Sequence, residues 1–85
     1  MNNANLANLV ENAKLRMAAI TGLETDTISQ FDPSEGGWKM VIDMLEHRSI
    51  PRTQDLLSSF EVVLDGSGDL IRWRRTARYT RGQQG

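Results

Sequence analysis

The chain lacks several residue types on which chemistry or cross-linking depends. Its 85 residues include no cysteine and only one histidine, His47. Without cysteine, disulfides and thiolate metal sites are excluded, and a reducing compartment fits the composition. No apolar run approaches the roughly 20 residues that a membrane span needs. The first residues carry no basic charge that leads into an apolar segment, so we expect no secretory signal.

The size of the chain limits it to one domain. Domains usually hold more than 50 residues around one core, so 85 residues predict a single domain over 1–85. Hydrophobic residues make up 39% and charged residues 25%, which is ordinary for a folded chain. Two independent cores would not fit.

Charge is unevenly distributed along the chain. The formal net charge is -1, but all eleven acids lie between Glu11 and Asp69. Residues 70–85 contain no acid and five arginines: Arg72, Arg74, Arg75, Arg78 and Arg81. Such a basic end either folds back on the acidic part or forms an outward attachment surface.

The N-terminal part predicts a helix over about residues 3–21. Apolar side chains recur at the helical spacing of three and four, forming one stripe: Leu6, Leu9, Val10, Ala13, Met17 and Ile20. Asn2 or Asn3 can cap the start of this helix. Gly22 fits its end, because a left-handed residue after a helix costs glycine little.

From residue 27 the period changes from 3.6 to 2, which predicts strands at about 27–32, 37–46, 56–65 and 70–80. We expect residues 82–85 to fray. The predicted class is α+β, with one N-terminal helix packed on a 3–4-stranded antiparallel β-meander. Its helix-facing side should consist of Trp38, Met40, Ile42, Phe60, Val62, Leu64, Ile71 and Trp73.

The last hairpin has a preferred register, because a slip by one residue turns every side chain to the wrong face. Apolar residues stay together when Leu64 pairs with Ile71 and Val62 pairs with Trp73. The same register sets Glu61 opposite Arg74 and Val63 opposite Arg72 on the other face. It leaves residues 66–69 as a four-residue loop.

No constellation of residues in the sequence predicts catalysis or a cofactor. His47 has no cysteine, second histidine or tight acidic cluster nearby with which to hold a metal. As a general base it would need a nucleophile and an orienting group in reach. The acidic segment Asp65–Asp69 lacks the further ligands of a calcium loop and is better explained as a tight turn. We therefore expect no enzyme, no cofactor and no metal site.

The last strand carries the candidate partner-binding residues. In a regular strand Arg72, Arg74 and Arg78 project to one side, whereas Arg75 and Tyr79 project to the other, near Arg81. Three interpretations stay open. The arginines contact an acidic protein surface, pair internally with Glu61 and Asp43, or bind nucleic-acid phosphates.

A family resemblance rests on the order and spacing of several segments. These are residues 15–22 (LRMAAITG), 37–42 (GWKMVI), 45–51 (LEHRSIP), 56–65 (LLSSFEVVLD), 68–70 (GDL) and 74–82 (RRTARYTRG). In these segments the chain resembles the gas vesicle protein O (GvpO) family. Gas vesicles are hollow protein shells that give buoyancy, with a wall built mainly of one small hydrophobic protein.

The resemblance implies an accessory or minor protein of gas vesicle assembly, cytoplasmic and associated with the vesicles. It implies a non-catalytic interaction module whose partners are other gas vesicle proteins, without a membrane or a small-molecule substrate. The alternative is a nucleic-acid-binding regulator of gas vesicle gene expression that uses the basic C-terminal strand. Homo-oligomerisation stays open, because the last strand can be a sheet edge that pairs with another chain.

Overall fold

The computed structural model describes residues 5–83, and the side chains of residues 7–82. One helix is followed by four strands: α1 Asn5–Thr21, β1 Glu24–Ser34, β2 Gly37–His47, β3 Leu56–Asp65 and β4 Leu70–Thr80. Short 3-10 turns cover Arg52–Gln54 and Arg81–Gln83. The strands form one antiparallel sheet in the order β1-β2-β3-β4. This confirms the predicted α+β class, with one helix and an antiparallel meander.

Helix α1 ends as its sequence predicts. Gly22 has a φ of 74°, and its N–H donates to the carbonyl of Ala18 at 2.8 Å. The Thr21 hydroxyl donates to the Met17 carbonyl at 2.6 Å and accepts from the Leu23 N–H at 3.2 Å. Glycine tolerates this left-handed conformation, so the chain can turn directly into β1. The predicted start at residue 3 and the Asn2 or Asn3 cap lie outside the described residues.

The core lies between α1 and the middle of the sheet. Its buried members are Ala13, Met17, Met40, Ile42, Met44, Phe60, Val62 and Leu64. Three predicted core residues are wrong: Ile20 is 45% exposed, Ile71 54% and Trp73 41%. Helix α1 packs over β2 and β3, and β4 contributes no buried residue. Leu6 lies outside the described side chains.

Strand β1 is longer than the predicted 27–32, because β2 pairs with it along its whole length. Asp26 and Ser29 of β1 are bulged and have no partner in the ladder. The 11 residues of β1 therefore lie against fewer residues of β2. A bulge inserts one residue and bends the strand locally. The ring of Phe31 stacks on that of Trp38 with centroids 5.3 Å apart, which helps to hold the β1–β2 hairpin.

Two more bulges shape β4. Val62 pairs with Trp73, Glu61 with Arg74 and Val63 with Arg72, as predicted, but Leu64 pairs with Leu70 rather than Ile71. Ile71 and Thr76 are the two residues of β4 without a partner in this ladder. Each inserted residue reverses the alternation of the side chains that follow it. The predicted two-sided pattern therefore fails after Thr76.

The outer strands of the sheet carry opposite charges. Strand β1 contains three acids and no base, whereas β4 contains four arginines and no acid. Beyond β4, Arg81–Gln83 form a turn where fraying was expected, and 84–85 lie outside the described residues. Within residues 5–83 no helix is long and apolar enough to cross a membrane.

Candidate functional site

The bulge at Thr76 divides the predicted partner-binding residues among three places. Arg75 and Arg78 pair with Phe60 and Ser58, so they lie on the face of the sheet that α1 covers. The other face carries Arg72, Arg74 and Tyr79. Arg81 follows β4 and contacts the ends of other elements. The expected single stripe of Arg72, Arg74 and Arg78 is therefore wrong.

On the helix-covered face, one carboxylate gathers two arginines. Glu46 accepts from Nη1 of Arg75 and from Nε of Arg78, both at 2.9 Å. It also accepts a short hydrogen bond from the Ser58 hydroxyl. The Ser58 hydroxyl and the two guanidinium groups lower the pKa of Glu46. Because two cations share one anion, this end of β4 keeps an excess of positive charge.

Beside these arginines lies the Trp73 groove, a surface groove of about 440 Å³. It is lined by Thr21, Leu23, Glu46, Phe60, Trp73 and Arg75. The Trp73 ring meets the Phe60 ring edge-on, with centroids 5.8 Å apart and planes at 62°. Helix α1 ends at Thr21 without covering β4, so the indole stays half-exposed above the core. The groove therefore combines an apolar floor with a charged rim.

The opposite face carries paired rather than free charges. Glu61 accepts from Arg74 at 3.2 Å and contacts Lys39 at 3.3 Å, and Lys39 and Arg74 lower its pKa. The Tyr79 hydroxyl donates to Asp43 at 2.9 Å. The pKa of Tyr79 is raised, mainly because the hydroxyl is buried and secondly because the Asp43 carboxylate lies beside it. Within residues 5–83, Arg72 has no carboxylate in ion-pair range. This face is largely neutralised internally.

Arg81 forms a clamp at the end of the sheet. Its guanidinium donates to Asp26 at 3.0 and 3.3 Å and to Asp55 at 3.1 and 3.2 Å. Buried Asp55 also accepts from the Ser49 N–H at 2.7 Å. This backbone hydrogen bond and the Arg81 charge lower the pKa of Asp55. The clamp joins the starts of β1 and β3 to the end of β4, so Arg81 is a structural residue here.

The residues considered for chemistry lie apart. His47 is exposed at the end of β2. Asp65 accepts from the backbone N–H groups of Ser67 and Asp69 at 2.9 and 3.0 Å, which fits a tight turn. In the part of the chain that the structure describes, no three His, Cys, Asp or Glu residues are placed to hold a metal.

Two features of the site escaped the sequence reasoning. Glu46 falls on the same alternation as Met40, Ile42 and Met44 of β2. An acid on an apolar face signals a buried or edge cation partner, and Arg75 and Arg78 fill that role. No sequence pattern predicts the exposure of Trp73, because that exposure depends on where α1 stops over the sheet.

Fold and site together define a small α+β domain with a tryptophan-lined, arginine-rimmed groove at one sheet edge. The chain belongs to the gas vesicle synthesis protein GvpO family, whose model matches residues 1–85. It is 39% identical over 75 residues to gas vesicle protein O of Streptomyces sp. (strain CB03234), which is 88% of this chain and 59% of that protein. It is 35% identical over 51 residues to gas vesicle protein O1 of Halobacterium salinarum, 60% of this chain and 43% of the relative.

A third relative, gas vesicle protein O of Haloferax mediterranei, is 32% identical over 60 residues, 69% of this chain and 43% of that protein. The chain thus spans about half the length of the curated relatives it matches. No solved structure matches the chain.

Proposed function

We propose that this chain is an accessory protein of gas vesicle assembly, cytoplasmic and associated with the vesicles, that works by binding and not by catalysis. Its partner is another gas vesicle protein, held at the Trp73 groove. The observation that carries this proposal is a half-exposed tryptophan above an apolar floor, beside two arginines that share one carboxylate. Membership of the gas vesicle family supports the cellular role.

The residue types at the groove are those that contribute most to protein interfaces. Tryptophan and arginine are enriched among the residues whose truncation costs an interface about 2 kcal/mol or more. Trp73 presents a large apolar area next to an N–H donor, and Arg75 adds a planar cation that recognises carboxylates. The groove therefore fits an apolar side chain followed or preceded by an acid.

Nucleic-acid binding is the weaker alternative. Phosphate binding needs cations that are free to replace counterions. Among the described residues Arg74 and Arg81 contact carboxylates, Arg75 and Arg78 share Glu46, and Arg72 lies unpaired on the opposite face, so the positive charge that remains is divided between the two faces and forms no continuous stripe. Sheets that read single-stranded RNA also stack bases on several exposed aromatics. Here Tyr79 is directed to Asp43, so Trp73 is the one aromatic exposed on β4.

The test is co-purification of the tagged full chain from cells that express its whole gas vesicle gene cluster. Trp73→Ala and Arg75→Glu should each reduce capture of a gas vesicle protein by about tenfold or more. Arg72→Glu is the matched control, because it makes the same charge reversal on the opposite face and should retain capture.

Thermal melts establish that each variant is folded. Capture of no gas vesicle protein by the unmodified chain would overturn the proposal, as would full capture by Trp73→Ala. Binding of RNA or DNA that falls steeply with salt and needs Arg72 would favour the regulator instead.

A further inference from the structure

The sheet ends in two open edges. In the order β1-β2-β3-β4, each outer strand has a neighbour on one side only within residues 5–83. Such an edge offers backbone N–H and C=O groups to a further strand. Successive strands alternate in direction, so β1 and β4 run antiparallel to each other. A second copy displaced sideways, with the twist usual between neighbouring strands, would therefore place its β1 antiparallel to β4 of the first.

The register of the sheet aligns an acid at one edge with an arginine at the other. Asp32 pairs with Lys39, Lys39 with Val63, and Val63 with Arg72. Residues that pair across strands project to the same face, so Asp32 and Arg72 share the face opposite α1. A sideways displacement keeps the rows aligned. It sets Arg72 of one copy beside Asp32 of the next, at the ordinary strand spacing of about 4.8 Å.

These two exposed charges lack an ionic partner within the described part of the molecule. Among residues 5–83, Arg72 has no carboxylate in ion-pair range and Asp32 has no cation in that range. Asp32 accepts from the side-chain amide of Gln30 at 2.8 Å, whereas Lys39 of the same row contacts Glu61 at 3.3 Å. The other two acids of β1 are already paired. The charges that can meet across a contact are therefore opposite in sign and lie in the same row.

The adjacent row carries an aromatic residue at both edges. Phe31 pairs with Met40, Met40 with Val62, and Val62 with Trp73. This row lies on the face that α1 covers, where Trp73 is 41% exposed and Phe31 is half-buried. The same sideways displacement sets Trp73 of one copy opposite Phe31 of the next. Aromatic pairs directly opposite each other stabilise antiparallel strands, so one displacement matches both faces of the sheet.

Bulges restrict this match to a short segment. Between its bulges β4 is regular over residues 72–75, and β1 is regular over 30–34. Pro33 has no N–H to donate to another strand, so it limits the ladder at that end. The rows that remain join 72–74 to 30–32. A contact of this length buries less than the roughly 1,200 Å² of a stable interface, so the association should be weak and reversible.

We propose that copies of this chain associate head to tail, with residues 72–74 of β4 in one copy paired antiparallel to residues 30–32 of β1 in the next. Each contact uses two different edges and leaves one of each free, so it can repeat along a row. Pairing two β4 edges instead would oppose arginines to arginines. The copy at one end of a row keeps its β4 edge and its Trp73 groove uncovered. This contact needs no other protein, so it stands independently of the proposed function.

The test is sedimentation velocity of the purified full chain in low salt, over protein concentrations up to about 1 mM, where weak contacts form. The sedimentation coefficient should rise with concentration, and the rise should shrink in about 0.5 M salt, which screens exposed charges. Arg72→Glu and Asp32→Arg should each abolish the rise, and the double variant should restore it because the two charges are exchanged. Arg16→Glu is the matched control, since it makes the same reversal at an exposed arginine of α1 and should associate like the unmodified chain.

Disulfide formation gives a second measurement, since the chain has no cysteine of its own. Gln30 and Arg74 fall in one row of the proposed contact. A mixture of Gln30→Cys copies with Arg74→Cys copies should oxidise mainly to the mixed dimer, identified by its mass, because Cβ atoms directly opposite are close enough for a disulfide. Arg16→Cys in place of Arg74→Cys should give no more mixed dimer than random collision does.

A sedimentation coefficient that stays constant up to about 1 mM in low salt would overturn the inference. So would a double variant that fails to recover, or an Arg16→Glu variant that loses the rise as Arg72→Glu does. A dimer that does not grow further would assign the contact to a symmetric pairing, against the head-to-tail order. Thermal melts establish that each variant is folded, and where one is not, the disulfide measurement decides. Because only this chain is present, failure here leaves the capture of a gas vesicle protein untouched.

Discussion

Strands β3 and β4 are hydrogen-bonded neighbours, yet their side chains meet different surroundings. Five residues of β3 are buried, Leu57, Ser58, Phe60, Val62 and Leu64, whereas β4 buries none. Strand β3 lies inside the sheet beneath α1, and β4 lies at the edge beyond it. Alternation makes a strand suitable for burial on one face, but the helix above decides which strand is covered. The uncovered strand is therefore the one whose side chains are available to a partner.

The largest expected effect on stability is the difference between truncating Leu64 of β3 and truncating Ile71 of β4, two apolar residues that lie close together. Leu64→Ala removes a side chain that is 1% exposed, so the free energy of unfolding should fall by about 2–5 kcal/mol. Ile71→Ala, in the bulge of β4, should cost less than about 1 kcal/mol. Urea unfolding followed by circular dichroism measures both. Equal losses would mean that β4 is covered in solution.

A second prediction addresses the clamp that joins the ends of the two strands. Asp55→Asn removes the buried charge that binds Arg81, but Arg81 keeps Asp26 as a partner and the new amide oxygen can still accept a hydrogen bond. The loss of stability should therefore be smaller than for Leu64→Ala but clear in a thermal melt. Asp65→Asn is the matched control. Its amide oxygen can still accept from the turn N–H groups, so it should change the melting temperature less.

Lowering the pH should weaken the ion pairs that hold β4 and Arg81 to the rest of the molecule. Folding lowers the pKa of Glu46, Asp55 and Glu61 below their ordinary values of 4.5, 3.8 and 4.5. A lowered pKa gives stability that is present above the ordinary value and lost as the pH falls through the folded-state value. Urea midpoints should therefore fall as the pH drops from about 5 toward 3.

This pH dependence is tested with Glu46→Gln, and Glu35→Gln at the exposed β1–β2 turn is the matched control. Glu46→Gln should flatten the decline, because it removes one of the three carboxylates, and Glu35→Gln should keep the slope of the unmodified chain. A midpoint that rises on acidification would contradict the ion pairs of β4.

The smallest effect is expected where β4 is most exposed. Arg74→Ala breaks an exposed pair with Glu61, which keeps Lys39 as a partner, so the free energy of unfolding should change by less than about 1 kcal/mol. The same urea assay in low and high salt measures it. A change in the free energy of unfolding as large as that of Leu64→Ala would contradict the prediction that Arg74 forms only an exposed ion pair.

Local patterns predicted the elements that local forces determine. Helix α1 and its end at Gly22, the antiparallel order and the Val62–Trp73 pairing all follow from periodicity and turn chemistry. The bulges at Ile71 and Thr76 could not be predicted in this way, because an inserted residue leaves the composition of a strand unchanged. The bulge at Thr76 placed Arg78 and Tyr79 on the faces opposite to those expected.

The candidate site was harder to predict, since it depends on contacts between distant segments. The proposed groove includes Trp73 and Arg75 of the last strand, whereas the sequence pattern set Arg72, Arg74 and Arg78 on one face and Arg75 and Tyr79 on the other. The contacts of Glu46 depend on the pairing of β2, β3 and β4, and the half-exposed indole of Trp73 depends on where α1 stops over the sheet. Distances along the chain carry no information on where a helix stops above a strand.

The opposite charges of β1 and β4 give the sheet an electrical polarity from side to side. Two such molecules that drift together with their β4 margins facing each other repel, as do two that present their β1 margins. The β1 margin of one copy and the β4 margin of another attract instead, so charge disfavours the symmetric pairing of two like margins and favours head-to-tail contact. The charge of each margin therefore selects the sign of the surface that can lie against it, an anionic surface at β4 and a cationic one at β1.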